Sequence, residues 1–147
     1  MERLKQVEGH YLDLKEYDID EKFYVYELGN YDFSDNLVFS ENKGVYIFTL
    51  RDIVSELDAD YGKQMYFHTL IYCGRSTELD DRFYNHFHKE EIKKKNADRI
   101  CICFCNTDEE TEELEKKVLA TFQFPVNEKD NDNPKYPNIT KVREAFW

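Results

Sequence analysis

Two segments of this chain are dense in β-branched and aromatic residues, and they require that the fold be built around paired strands. The first is Gly44-Val45-Tyr46-Ile47-Phe48-Thr49-Leu50, and the second is Phe67-His68-Thr69-Leu70-Ile71-Tyr72-Cys73. Such residues favour the pleated, half-buried surface of a strand. Because turn-forming residues lie between the two segments, at Asp60-Tyr61-Gly62-Lys63, we predict that they form neighbouring strands of one sheet.

Two helices and a third strand are predicted further along the chain. Apolar residues spaced by four indicate a helix over Thr77–Lys95, and Thr77 is a suitable N-cap. A strand is predicted over Arg99–Asn106. Thr107 and Asp108 then begin a second helix that runs to about Phe122, with a buried stripe of Leu114, Val118 and Phe122. The order β-β-α-β-α predicts an α/β (α+β) domain with a three-stranded, mainly antiparallel sheet flanked by helices.

The length of 147 residues fits one domain and can bury a core without disulfides. We expect the domain to cover residues 44–128, after an acidic N-terminal extension over 1–43 and before a C-terminal tail over 129–147 that packs on the domain. The N-terminus lacks the apolar run of a signal peptide, and no stretch has the length of a membrane span. A cytoplasmic protein without a membrane partner is therefore expected.

Three of the four cysteines alternate in Cys101-Ile102-Cys103-Phe104-Cys105. Alternate residues of a strand point to the same face, so these thiols are predicted to line one side of the third strand. The spacing differs from the paired Cys-x2-4-Cys pattern of a zinc site. Buried, reduced thiols are therefore expected.

The net charge of −11 is unfavourable for contact with DNA phosphates. Much of the acidity lies in residues 1–43, which carry eleven acidic and five basic residues, whereas Arg82–Arg99 carries six basic and three acidic ones. Because local charge decides which surface meets a polyanion, the second segment could still contact DNA. Lys93, Lys94 and Lys95 suit either the DNA backbone or the solvated end of a helix.

Four short motifs together resemble the GIY-YIG nuclease superfamily. They are Gly44-Val45-Tyr46, then Tyr72-Cys73-Gly74-Arg75-Ser76 with Leu79, then Arg82 with His86, and finally Leu114-Glu115 with Pro125 and Asn127. Their order and spacing follow the family pattern. The chain departs from it in Cys73, which replaces an apolar residue, and in the 25 residues between Tyr46 and Tyr72, an unusually long gap. The extra length, within Arg51–Tyr66, is predicted to form an enlarged β-hairpin.

The resemblance implies a DNA endonuclease that uses Mg²⁺ or Mn²⁺. Tyr46 is then the favoured general base with Tyr72 beside it, Arg82 clamps the phosphate, and Glu115 holds the metal. A free phenol has a pKa of about 10, so a base of this type needs a nearby cation. The family pattern gives His86 a hydrogen bond to the Tyr or the phosphate, and Asn127 the positioning of the phosphate or a water. Arg75, Ser76 and the three lysines are expected to contact DNA.

Two other functions stay open at this stage. One is a GIY-YIG fold that binds or regulates without cleaving, which the acidity favours. The other is an acidic DNA mimic that occupies the basic groove of a protein partner, for which the acidic N-terminal region would serve. The full set of polar motif residues favours the nuclease.

Overall fold

The computed structural model describes residues 5–28, 43–57, 64–76, 89–127 and 131–146. These residues form six strands and two α-helices, with one turn of 3-10 helix at Lys15–Tyr17. None of the helices within the described ranges has the length and apolarity needed to cross a bilayer. The elements are β1 (Lys5–Asp13), β2 (Phe23–Glu27), β3 (Gly44–Leu57), β4 (Gln64–Ser76), α1 (Lys89–Lys94), β5 (Arg99–Phe104), α2 (Asp108–Thr121) and β6 (Lys141–Phe146).

The strands close into an antiparallel barrel in the order β1-β2-β5-β3-β4-β6. The prediction of a mixed domain with a mainly antiparallel sheet is confirmed, but the predicted number of three strands is wrong. Strands from residues 1–43 and 129–147 pair with the outer edges of β5 and β4. A three-stranded sheet leaves two rows of backbone hydrogen-bonding groups unpaired, and closure of the barrel removes both open edges.

The predicted long hairpin is present in β3 and β4. Their pairing runs from Gly44 opposite Ser76 to Leu57 opposite Gln64, with irregularities after Phe48 and after Ile53. The barrel neighbours accompany it over only part of this length, because β5 pairs with β3 no further than Thr49. The hairpin therefore extends beyond the barrel.

Alternation along the central strands creates two apolar clusters. The interior cluster receives residues from all six strands, and the Leu114–Val118–Phe122 stripe of α2 packs into it as predicted. The outer cluster covers the opposite face of β3, β4 and β5 and includes Tyr46, Tyr72 and Ile92 of α1. α2 thus packs on the interior side, and α1 covers the outer face.

Both ends of α2 are closed by side chains. The Thr107 hydroxyl accepts a hydrogen bond from the backbone N–H of Glu110 at 3.1 Å, which is the predicted N-cap. At the other end, the buried amide of Asn131 donates to the carbonyl oxygens of Leu119 (2.9 Å) and Phe122 (2.7 Å). Carbonyls that lack helical partners are thereby satisfied. Asn131 thereby links the C-terminal end of α2 to the segment that precedes β6.

Candidate active site

The two tyrosines of the strand motifs lie side by side on the outer face of the barrel. Tyr46 is 0% exposed and Tyr72 is 7% exposed. Their ring centroids are 6.3 Å apart with an interplanar angle of 36°, and Phe48 packs edge-on against Tyr46 at 5.7 Å. The structure therefore brings the two predicted phenols together in a tightly packed aromatic group.

Each motif glycine is required by a close approach. A Cβ added at Gly74 would lie 2.6 Å from the hydroxyl oxygen of Tyr46, because the tyrosine ring lies directly over this position. A Cβ added at Gly44 would lie 2.8 Å from the carbonyl oxygen of Cys103 on β5. Both distances are below van der Waals contact. Gly74 thus makes room for the phenol, and Gly44 makes room for the neighbouring strand.

Asn127 binds the backbone of β4 between Tyr72 and Gly74. Its side-chain oxygen accepts from the N–H of Cys73 at 2.9 Å, and its side-chain nitrogen donates to the carbonyl of Cys73 at 2.8 Å. The N–H of Val126 adds a hydrogen bond to the carbonyl of Ile71. Because β6 pairs with β4 only from Phe67 to Thr69, this segment replaces a strand along the last part of β4. The amide group is thereby committed to positioning the strand that carries Tyr72.

Glu115 differs from the other acidic residues of α2 in its burial and its contact. Asp108, Glu109, Glu110, Glu112 and Glu113 are exposed, whereas the side chain of Glu115 is 21% exposed. Its carboxylate accepts a hydrogen bond from Nε of Arg75 at 3.2 Å. Burial, with a further contribution from the Glu115 charge, raises the pKa of the Cys73 thiol. Glu115 therefore lies against β4, directly beside the second strand motif.

The tyrosines and the carboxylate reach β4 from different sides. Tyr72 and Gly74 lie on the outer side of β4, whereas Cys73 packs in the interior cluster. Because side chains alternate along a strand, Arg75 lies on the same side as Cys73, where it contacts Glu115 of α2. Gly44 begins β3 opposite Ser76, the last residue of β4. The candidate site is therefore this end of the strand pair, the rim of the barrel, with the buried tyrosines on one face of β4 and Glu115 on the other.

Several predicted site residues lie partly or wholly outside the described structure. These are Arg82 and His86, together with the side chain of Ser76. The predicted helix over Thr77–Lys95 is described only as α1, with Lys93, Lys94 and Lys95 exposed at its end. Asn96 follows with a φ of 62°, in the left-handed conformation that ends helices. The lysines are close in sequence to Ile92, which packs in the outer cluster with both tyrosines.

The donor chemistry of the rim fits a hard divalent cation. Mg²⁺ is commonly held by one or two carboxylates, with waters and substrate phosphate completing its shell. The partly exposed carboxylate of Glu115 is such a donor. Across the described ranges, no group of three or more His, Cys, Asp and Glu side chains is arranged to enclose a metal.

The alternating thiols behave as the sequence suggested. Cys101 and Cys105 are buried in the interior cluster, and Cys103 packs against it. Burial raises the pKa of Cys103 to about 12 and also raises those of Cys101 and Cys105. Thiols of this kind stay protonated at neutral pH and are poor nucleophiles.

A buried polar network in the barrel escaped the sequence analysis. Glu144 accepts a hydrogen bond from Nε2 of His68 at 2.6 Å, and it also contacts His10 and Arg51. The other ring nitrogen of His68 is 2.7 Å from the hydroxyl of Thr49. No sequence pattern connects these positions, since His10 and Glu144 are 134 residues apart. The network joins β1, β3, β4 and β6.

Comparison with protein families gives one match. Residues 42–130, which are more than half of the chain, match the family described as the GIY-YIG catalytic domain. Neither a comparison with curated proteins nor one with solved structures returned a significant match. The matched range contains β3, β4, α1, β5 and α2, and it includes every residue predicted for the site.

Proposed function

The chain belongs to the GIY-YIG nuclease superfamily, and from this premise we propose that it is a metal-dependent endonuclease that hydrolyses DNA phosphodiester bonds. The observation that carries the proposal is the position of the Tyr46 phenol over Gly74, next to Tyr72 and at the rim that also holds Glu115. Hydrolysis of a phosphodiester by this mechanism needs a general base in a fixed position and a carboxylate that can bind the metal.

In the proposed reaction, Tyr46 acts as the phenolate, takes the proton from the attacking water and becomes the neutral phenol. The phenol is held in a fixed position because Phe48 packs against its ring and Gly74 lies beneath it. Such fixed geometry removes the cost of orienting the base during reaction. Tyr72 lies beside it, and His86 provides a hydrogen bond to the Tyr or the phosphate. Arg82 holds the phosphate and its developing negative charge, a role that suits the planar guanidinium.

Glu115 is the proposed ligand for Mg²⁺ or Mn²⁺. When bound there, the cation would supply positive charge near the leaving oxygen. Asn127 acts in this scheme as a positioning residue, since both ends of its amide bind Cys73. It keeps the end of β4, and with it Tyr72, in place.

Contacts to DNA are proposed for Arg75, Ser76, Lys93, Lys94 and Lys95. Arg75 and the three lysines are exposed. The lysines follow Ile92, whose side chain packs against the same cluster as Tyr46 and Tyr72. These cations would receive the phosphates that flank the cleaved bond.

The proposal is tested by incubating supercoiled plasmid with the protein in Mg²⁺, in Mn²⁺ and in EDTA. We expect nicking in the presence of either metal and none in EDTA. Glu115→Gln should reduce the rate at least tenfold, because it removes the proposed protein ligand. Glu112→Gln on the same helix is the matched control, since Glu112 is exposed and pairs with Lys116, and it should cleave like the wild type.

Other outcomes point to the alternative functions. Absence of nicking with every metal, together with DNA binding, would indicate a non-cleaving member of the family. Absence of both nicking and DNA binding would favour an acidic mimic that binds a basic protein, consistent with the net charge of −11.

A further inference from the structure

The proposed metal ligand already has a cationic partner. Nε of Arg75 is 3.2 Å from Oε1 of Glu115, and the two side chains are 41% and 21% exposed. Arg75 follows Gly74 directly on β4, and Glu115 lies on the face of α2 that packs towards this strand. The pair therefore links the end of the motif strand to the helix.

Arg75 and a divalent cation compete for the same carboxylate. A guanidinium that stays at Glu115 adds a positive charge next to a doubly charged ion, and the repulsion weakens binding of that ion. A DNA phosphate offers the guanidinium an equally good charge-assisted partner. Because an ion pair with this exposure is weak, a phosphate can displace the carboxylate from Arg75.

We propose that the Arg75–Glu115 ion pair couples binding of DNA to binding of the catalytic cation. Without DNA, Arg75 occupies Glu115 and lowers its affinity for metal. When a phosphate binds Arg75, the carboxylate is released and the cation enters together with the substrate. This inference rests on the proposed nuclease function and adds an order of binding to it. By linkage, each ligand then strengthens the binding of the other.

The first test measures Mn²⁺ affinity without DNA, by electron paramagnetic resonance of the free ion. Arg75→Gln should raise the affinity about fivefold, because a neighbouring positive charge is lost. Lys116→Gln is the matched control, since it makes the same charge change on α2 and breaks only the exposed pair with Glu112. Its affinity should stay within about twofold of the wild type, because the lost charge is exposed and screened. Equal affinities of Arg75→Gln and the wild type would overturn the coupling.

The second test measures DNA affinity in EDTA, where no metal-dependent cleavage can interfere. Glu115→Gln should bind a short duplex about fivefold more tightly than the wild type, because Arg75 is released to the phosphates. The same change in an Arg75→Gln background should give less than about half of that gain, and the difference isolates the pairwise interaction. Equal gains in both backgrounds would mean that only the net charge matters, which overturns the proposal.

The two tests separate failure of this inference from failure of the proposed function. If Glu115→Gln leaves Mn²⁺ binding unchanged, Glu115 is not the metal ligand, and its proposed role and the coupling both fail, while metal-dependent nicking still decides the nuclease function. If Glu115→Gln abolishes Mn²⁺ binding but Arg75→Gln does not raise it, the metal site stands and the coupling is refuted. Circular dichroism of each variant verifies that the fold is retained.

Discussion

Tyr46 and Gly74 form a matched pair, in which the absence of one side chain leaves space for the hydroxyl of the other. The tyrosine ring fills the outer cluster as a phenylalanine would, but its hydroxyl reaches over the neighbouring strand to a position where any Cβ would clash. Packing alone gives no reason for this combination. Because a Cβ would clash there, a glycine at position 74 is required wherever position 46 is a tyrosine in this conformation.

We expect Tyr46→Phe to reduce cleavage at least a hundredfold, on the scale of a lost general base. Stability should change by only about 1 kcal/mol, since the ring is retained and one hydroxyl is lost. Nicking rates and urea denaturation on the same preparation provide both numbers.

Tyr17→Phe makes the same chemical change outside the site, where the ring packs edge-on against Phe122 at 4.9 Å. This control should leave cleavage unaltered. A Tyr46→Phe protein that cleaves at the wild-type rate would exclude Tyr46 as the base.

At the scale of elements, the end of β4 depends on a loop in place of a strand. Asn127 supplies the two hydrogen bonds that a neighbouring strand would provide to Cys73. Without these bonds the N–H and C=O groups of Cys73 would be buried without hydrogen-bond partners, which is energetically costly. The loop after α2 thereby connects the helix that carries Glu115 to the strand that carries Tyr72.

Asn127→Ala should lower the free energy of unfolding by about 2 kcal/mol, because the backbone groups of Cys73 lose their partners. Cleavage should fall as well, while DNA affinity in EDTA stays near the wild-type value. Asn133→Ala, at an exposed position of the following segment, is the control and should change neither quantity. If Asn127→Ala instead weakens DNA binding without a loss of stability, the residue contacts the phosphate directly.

The elements that sequence predicts well are those with local signals. β3, β4 and β5 are rich in β-branched and aromatic residues, and α2 has a cap and a regular stripe, so each could be identified on its own. β6 carries no such signal, because its two buried positions are Val142 and the charged Glu144. Glu144 is buried only because three strands distant in sequence provide its partners. The Arg75–Glu115 pair likewise depends on packing between distant elements.

For the whole molecule, the Glu144 network is a buried polar centre that links four strands. Burial raises the pKa of Glu144, but hydrogen bonds from His68 and Arg51 outweigh this and lower it to about 2. Burial also lowers the pKa of His68 below its usual value, against the influence of Glu144. A neutral His68 therefore donates from Nε2 to an ionised Glu144 and accepts from Thr49.

Stability should consequently decrease in acid. The unfolded chain takes up a proton at histidine below about pH 6.5 and at glutamate below about pH 4.5, whereas the folded state resists both. The contribution of His68 is thus present above pH 6.5 and is lost below it. That of Glu144, whose pKa is lowered in the folded state, is lost as the pH falls from about 4.5 towards 2.

Urea denaturation at a series of pH values measures this decrease, and Glu144→Gln should flatten its lower part. The variant should also be less stable at pH 7, because Arg51 and the two histidines lose their anionic partner. An unchanged pH profile in Glu144→Gln would show that the carboxyl does not dominate acid unfolding.

The net charge of −11 limits how many DNA phosphates the molecule can neutralise. The cations proposed to contact DNA, Arg75 and the three lysines, can neutralise only a few phosphates, so DNA affinity should fall only gently as salt rises. Titrations in EDTA at several salt concentrations give the slope of log affinity against log salt. A slope that corresponds to about eight or more released counterions would show that a far larger basic surface contacts DNA.

Closure of the barrel has a consequence for synthesis of the chain. β6 pairs with both β1 and β4, and the residue paired with His10 of β1 is Phe146 of β6. Contacts that span nearly the whole sequence form late, because the ends of a long loop must first meet. While residues 141–146 are still inside the ribosome, β1 and β4 lack this neighbour and Glu144 is missing from its network. The nascent chain therefore cannot close the barrel until β6 has left the ribosome.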